Sequence, residues 1–169
     1  MNLENAITQL RNQRTAILSM GRDLSNEQAR WKPGAEDWSI LEVLNHLVDE
    51  ERLDFRRHLD HILFTPNEPW PKIAPQDWVL KKKYNQQALD QTLVNFEFER
   101  NKSIEWLMTL TDIDWTMTTQ LPWGTLSAGD MLASWLAHDL LHLRQLVELR
   151  YQLTQSDSLP FSVEYAGKW

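Results

Sequence analysis

The fold of this chain is decided by residues 135–146, Trp135-Leu136-Ala137-His138-Asp139-Leu140-Leu141-His142-Leu143-Arg144-Gln145-Leu146. This stretch contains no Pro or Gly, and its Leu and Trp residues recur at intervals of three and four, as in a helix with one packed side. His138 and His142 are four residues apart, so both imidazoles project from one helix face. The same face is predicted to carry Met131, Ser134, Trp135, Leu141, Gln145 and Leu149. Because a buried imidazole without a partner is costly, a shared metal ion is the simplest explanation for the pair.

Three further amphipathic helices are predicted before this one. The first covers residues 2–20 and ends near Gly21, and Ser25 with Gln28 can cap a short turn after it. Ser39 followed by Glu42 forms a capping box that opens a second helix, which runs to about Phe64.

Four prolines break the chain over residues 65–76, which predicts an irregular crossover. The third helix is expected from about Asn85 to Leu110, followed by a loop in which residues 116–119 can pair with another short segment. Ser127 caps the fourth helix, which extends to about Leu153. Four long amphipathic helices in one domain, residues 1–169, predict an all-α four-helix bundle with a long crossover between helices 2 and 3.

Composition narrows the possible functions. The chain has no cysteine, which excludes disulfides, thiolate nucleophiles and Cys-ligated metals. A net charge of −7, with Lys81-Lys82-Lys83 as the only basic run, argues against nucleic-acid binding. No apolar run reaches the roughly 20 residues that span a bilayer, and no leader pattern is visible at the N-terminus, so a cytoplasmic protein is expected.

A third metal ligand is available on the second helix. His46 lies beside the core positions Leu47 and Val48, whereas charged residues flank His58 and His61, which predicts a solvated face for those two. Three imidazoles suit a divalent Zn, Ni, Co or Fe ion and leave coordination positions open. The alternative is that the histidines are core residues bonded to each other or to carbonyl groups.

The segment His138 to His142 also differs by one residue from the zinc-peptidase motif H-E-x-x-H, with Asp139 in place of the Glu. No third ligand follows it downstream, which argues against a peptidase. Glu50, Asp139 and Gln145 are instead candidates for orienting the ligands or transferring protons. Among the nine Trp, Trp38 and Trp70 lie near helix ends, where an indole most often caps a core and less often lines a ligand pocket.

Two segments of the sequence resemble a known family. Residues 38–51 (WSILEVLNHLVDEE) and 136–146 (LAHDLLHLRQL) are similar to the two halves of the pattern of the DinB-like (damage-inducible, YfiT-like) superfamily, and the Tyr165–Trp169 ending fits as well. The resemblance implies an up-down-down-up bundle with a divalent metal held by His46, His138 and His142. It also implies a role in stress response and pairing as homodimers. Characterised members include thiol-dependent transferases and a maleylpyruvate isomerase, which suggests a small-molecule substrate such as a low-molecular-weight thiol.

Three hypotheses about function follow. The chain is a metal-dependent enzyme acting on a small molecule, either a hydrolase or a thiol transferase. Alternatively, it binds a metal or ligand without catalysis, as a stress-response protein, or it is a structural bundle whose histidines belong to the core.

Overall fold

The computed structural model describes residues 2–167, and these form a helical bundle with one small hairpin. The helices are α1 (Leu3–Gly21), α2 (Asn26–Arg30), α3 (Ile40–Asp49), α4 (Arg56–Phe64), α5 (Pro75–Lys81), α6 (Leu89–Thr109) and α7 (Ala128–Asp157), and the strands are β1 (Thr118–Leu121) and β2 (Gly124–Ser127). A π-helical segment, Glu50–Phe55, joins α3 to α4 without a break, and short 3-10 helices lie at Tyr84–Gln86 and Glu164–Ala166.

The predicted four-helix bundle is confirmed, with α1, the α3–π–α4 unit, α6 and α7 as its long helices. Boundaries shift modestly, because a 3-10 turn delays the start of α6 to Leu89 and α7 continues beyond Leu153 to Asp157. The up-down-down-up order stays a prediction. Lys168 and Trp169, the end of the predicted family-like C-terminus, lie outside the described residues.

Three helix starts are fixed by the side chains that the sequence suggested. The side chains of Ser25, Ser39 and Ser127 each accept a hydrogen bond from the backbone N–H three residues later. The backbone N–H of each serine in turn donates to the side-chain oxygen of that later residue, so all three form complete capping boxes. Each box satisfies amide groups that the first helical turn would otherwise leave unpaired.

The connections contain more regular structure than the sequence indicated. Pro75 occupies the first turn of α5, inside the crossover that was predicted to be irregular. The predicted pairing near residues 116–119 is confirmed, since β1 pairs antiparallel with β2 and Thr118 lies opposite Ser127. The hairpin leads directly into the Ser127 cap and so fixes where α7 begins.

Two apolar clusters form the core, and a polar layer lies between them. On α1, Leu10 belongs to one cluster and Ile17 to the other, while α6 places Ile104 and Phe96 in the same two clusters. The side chains between the clusters are polar on every long helix; they are Gln13, His46, Glu50, Glu51, Arg100, His138, Asp139 and His142, called the polar layer below. Within residues 2–167 no helix is long and apolar enough to cross a membrane.

Candidate metal centre

Three histidines meet inside the bundle. The potential ligand atoms of His46, His138 and His142 all lie within 4.8 Å of one another. Their ring centroids are 4.4 Å apart for His138 and His142, 4.7 Å for His46 and His142, and 5.5 Å for His46 and His138. The two α7 rings turn their Nε2 atoms toward each other at 3.2 Å.

The position of each histidine follows from its helix. The four-residue spacing stacks His138 above His142 on α7, while His46 is placed by α3, which packs against α7. His46 is buried with the core residues around it, as its position beside Leu47 suggested. The sequence therefore predicted correctly that these three imidazoles lie together.

The three rings fit a divalent cation. The Nδ1 atoms of His46 and His138 are buried and have no hydrogen-bond partner among the described residues. Burial lowers the pKa of His46 to about 3 and that of His138 to about 4, and it also lowers the pKa of His142. All three are thus neutral near pH 7, the form that binds Zn, Ni, Fe or Co through a nitrogen lone pair.

Two neighbouring polar residues face the outer nitrogens of these rings. Gln145 Oε1 lies 2.9 Å from Nδ1 of His142, so that ring nitrogen can donate and leave Nε2 free. Glu50 Oε1 lies 3.6 Å from Nδ1 of His46, too far for a hydrogen bond but correctly placed to form one after a small shift. Burial, then the neighbouring Asp54, raises the pKa of Glu50 to about 9, so this carboxyl is protonated near neutral pH.

Asp139 serves a different purpose from proton transfer. Its carboxylate accepts two hydrogen bonds from the Arg100 guanidinium, at 2.7 and 2.9 Å, and is 1 % exposed. Arg100 also donates to Glu51 Oε1 at 2.8 Å, and that oxygen accepts a second bond from Trp135 Nε1. The pairing removes Asp139 as a free base, which separates the site further from a zinc peptidase.

The expectation that His58 and His61 are solvated is wrong, because both side chains are buried. The Pro-rich crossover folds back over α4, so that Trp70 stacks on His58 with centroids 4.1 Å apart. His58 is also bonded to Asp54 Oδ1 at 2.6 Å and to the Pro71 carbonyl at 2.7 Å. The charged residues that flank His58 and His61 gave no indication that the crossover would cover these side chains. Neither histidine lies in the cluster with His138 and His142.

The predicted inward face of α7 also needs correction. Leu141 is 56 % exposed and Ser134 is exposed, whereas the buried stripe passes through Leu132, Trp135 and Asp139. Because position 139 is an Asp, the spacing of apolar residues alone did not predict that buried stripe. Leu141 borders an open cleft of about 490 Å³ instead of packing against a helix.

This cleft adjoins the histidine cluster. His142 lines it together with Trp38, whose ring lies nearly parallel to His142 at 6.5 Å and edge-on to His46 at 5.1 Å. Trp38 therefore lines a cavity, the alternative that the sequence favoured less. No pattern in the sequence could distinguish this indole from the other tryptophans near helix ends.

Comparison with known proteins agrees with this geometry. The family model of the DinB superfamily matches residues 9–146, a span that includes all three clustered histidines. No curated protein matches the chain in sequence. Among solved structures, the chain is similar to YfiT from Bacillus subtilis, described as a probable metal-dependent hydrolase with an unusual four-helix bundle topology. The TM-score is 0.78 at 16 % sequence identity, over 90 % of this chain and 87 % of that one. At this identity the likeness shows the shared fold.

Proposed function

Because the chain belongs to the DinB superfamily, we propose that it is a divalent-metal-dependent enzyme that acts on a small molecule. In this proposal His46, His138 and His142 hold the metal. The observation that carries it is the convergence of three neutral imidazoles, one buried and two half-buried, from two packed helices. The Nε2 atoms of His138 and His142 face each other at 3.2 Å, so both rings present a nitrogen to the same point.

The number of protein ligands favours a catalytic metal site over a site that stores metal. Among the described residues no fourth His, Asp or Glu belongs to the cluster, so three protein ligands leave positions for water or substrate. A cleft of about 490 Å³ reaches one of the ligands directly. A site for sequestering metal would instead fill every position with protein groups.

The chemistry divides between the cation and the protein. A divalent ion supplies Lewis acidity, which lowers the pKa of a water or thiol that it binds. Gln145 lies beside Nδ1 of His142 and so keeps that ring aimed at the cluster, while Glu50 faces Nδ1 of His46 at 3.6 Å, where a small shift would complete the equivalent contact. Trp38 shields one side of the cluster from solvent.

Hydrolysis and thiol transfer are the two reactions to compare. The description of YfiT as a probable metal-dependent hydrolase supports the first, while the second rests on the thiol-dependent transferases that the sequence resemblance implies. Both would need a nucleophile activated next to an open coordination position, a water in hydrolysis and a thiol in thiol transfer. A homodimer, a cytoplasmic location and a role in stress response stay predictions.

The first experiment measures metal in protein purified without a histidine tag. We expect close to one equivalent of a divalent transition metal, lost by more than tenfold in His46→Ala, His138→Ala and His142→Ala. The matched control is His61→Gln, which removes a buried histidine outside the cluster and should keep the metal. Circular dichroism of each variant separates loss of metal from loss of fold. Unchanged metal content in a folded His138→Ala protein would contradict the proposed site.

The second experiment assigns the reaction. Metal-loaded protein is screened with activated esters and amides in water, and with electrophilic acceptors in the presence of small thiols. Turnover in the first screen identifies a hydrolase, and turnover that depends on thiol identifies a transferase. No turnover in either, with full metal occupancy, favours the non-catalytic alternative.

A further inference from the structure

The cleft beside His142 lies between two walls. One wall is the surface of α7 from Leu141 to Gln152, and the other is the connector from Pro33 to Trp38. At 1.5 Å per helical residue the α7 wall is roughly 16 Å long, with the histidine cluster at one end. A molecule of up to about five linked residues can therefore lie along it, since an extended residue spans about 3.3 Å.

Each wall presents one charged side chain that has no ionic partner among residues 2–167. Arg144 lines the cleft from α7, and its guanidinium forms no hydrogen bond or ion pair with any of residues 2–167. Asp37 lines it from the connector, and its carboxylate likewise has no ionic partner within that range. The two charges are not within ion-pair distance of each other, although they border the same cavity.

The other residues of the cleft favour a polar occupant. Gln145 and Glu148 lie on the α7 wall near Arg144, and Gln152 Nε2 donates to Glu148 Oε1 at 3.1 Å. The indole of Trp38 offers one flat apolar surface at the metal end. A purely apolar ligand would desolvate these groups without replacing their hydrogen bonds, which is unfavourable.

From this arrangement we infer that the cleft binds an amphoteric small molecule, one with both a carboxylate and an ammonium group, such as a short peptide or an amino-acid conjugate. The carboxylate pairs with Arg144 and the ammonium with Asp37, so the ligand bridges the two walls. Guanidinium and carboxylate can meet through two parallel hydrogen bonds. The inference rests on the proposed function in one respect, that the reacting part of the molecule is the part next to His142.

The test uses three probes that differ only in their end groups: free triglycine, its N-acetylated form and its C-terminal amide. Binding is measured by ligand-observed NMR and calorimetry with the full-length protein, both as purified and after treatment with a chelator. We expect both blocked forms to bind at least about threefold more weakly than free triglycine, as the loss of an exposed ion pair predicts.

Two variants assign each charge. Arg144→Gln should bind free triglycine as weakly as its amide, while still discriminating against the acetylated form. Asp37→Asn should show the reverse pattern. The matched controls are Arg22→Gln and Glu36→Gln, which change exposed charges that do not line the cleft and should leave both preferences intact.

Equal affinity of the wild-type protein for all three probes, or no binding at tens of millimolar, overturns the inference. So does a pattern in which Arg144→Gln matters and Asp37→Asn does not, because the ligand would then be a simple anion. Because the chelator-treated protein holds no metal, its binding of the probes tests the cleft separately from the metal site. A failure here therefore leaves the metal proposal intact, and an absent metal leaves this one intact.

Discussion

At the scale of single residues, Gln145 controls which nitrogen of His142 is available. Its side-chain oxygen lies 2.9 Å from Nδ1, and the carbonyl oxygen of an amide can only accept. Nδ1 must therefore carry the proton, which leaves the lone pair on Nε2, the atom that faces His138 at 3.2 Å. The amide thus selects the tautomer that a metal requires.

We expect Gln145→Ala to weaken metal affinity by about tenfold, because loss of a partner behind a ligand histidine costs 10- to 100-fold in comparable sites. Competition with a chromophoric chelator measures the change. Gln155→Ala, on the exposed end of the same helix, is the control and should bind metal like the wild type. Equal affinity in both variants would show that Gln145 has no orienting role.

The buried carboxyl of Glu50 and the histidines give the metal-free protein opposite pH dependences. Burial lowers the pKa of His46 from 6.5 to about 3 and of His138 to about 4, so the unfolded chain binds more protons below pH 6.5. The free energy of unfolding therefore falls as the pH decreases from 6.5. Burial beside Asp54 raises the pKa of Glu50 from 4.5 to about 9, so the folded state retains a proton that the unfolded chain releases. The contribution of Glu50 to the free energy of unfolding therefore decreases as the pH rises toward 9.

We therefore expect the free energy of unfolding of the metal-free protein to peak near pH 6.5. Above this pH it should fall by up to about 1.4 kcal/mol per pH unit, the slope for the single proton of Glu50. Urea titrations between pH 5 and 8.5 measure it. Glu50→Gln should remove the alkaline decline and keep the acid one, while the exposed Glu36→Gln should change neither. The same alkaline slope in wild type and Glu50→Gln would refute the assignment.

At the scale of elements, sequence reasoning succeeded where structure is local. The three capping boxes involve residues three positions apart, and the pairing of His138 with His142 needs only the helical period. It failed where distant segments decide. The burial of His58 depends on Trp70 folding back from the crossover, and the partner of Asp139 comes from α6. The π-helical segment left no pattern that distinguishes it from an ordinary helix.

The caps differ in how much they stabilise their helices. Ser39 accepts from the Glu42 N–H, and its hydroxyl also donates to Asn85 Oδ1 at 2.6 Å in a buried position. Ser127 caps α7 at an exposed site, where water can replace the lost bond. We expect Ser39→Ala to lower the free energy of unfolding by about 2 kcal/mol and Ser127→Ala by about 1 kcal/mol, by chemical denaturation. A larger loss at Ser127 would reverse this order and contradict the argument.

At the scale of the whole molecule, the polar layer divides the bundle into two apolar halves and includes the proposed metal site. Arg100 lies at its centre and is fully buried. Its guanidinium donates to the Leu10 carbonyl on α1 at 3.2 Å, to Glu51 in the π-helical segment and to Asp139 on α7. One side chain on α6 thereby links all four long helices. Glu51 and Asp139 adjoin Glu50 and His138 in sequence, so the same contacts fix the backbone that positions the site.

Burial alone would lower the pKa of Arg100, but the carboxylates of Glu51 and Asp139 outweigh burial and raise it, so the guanidinium stays charged. Arg100→Met leaves two carboxylates in the core without a cation. We expect it to lower the free energy of unfolding at pH 7 by about 3–5 kcal/mol, measured by urea titration. The deficit should shrink at pH 5, where unpaired buried carboxyl groups become protonated.

Two further variants separate charge from packing. Combining Arg100→Met with Glu51→Gln and Asp139→Asn removes every charge of the network, and it should recover at least about 1 kcal/mol of the loss. Arg52→Met, whose side chain is 45 % exposed in its pair with Asp49, is the control and should cost at most about 1 kcal/mol. If neither the neutralised variant nor the lower pH restores stability, packing of the arginine stem explains the loss, and the bundle does not depend on the buried charges. If both restore it, the two carboxylates left unpaired in the core cause the loss, and metal affinity, which needs His138 held opposite His46, should recover in parallel.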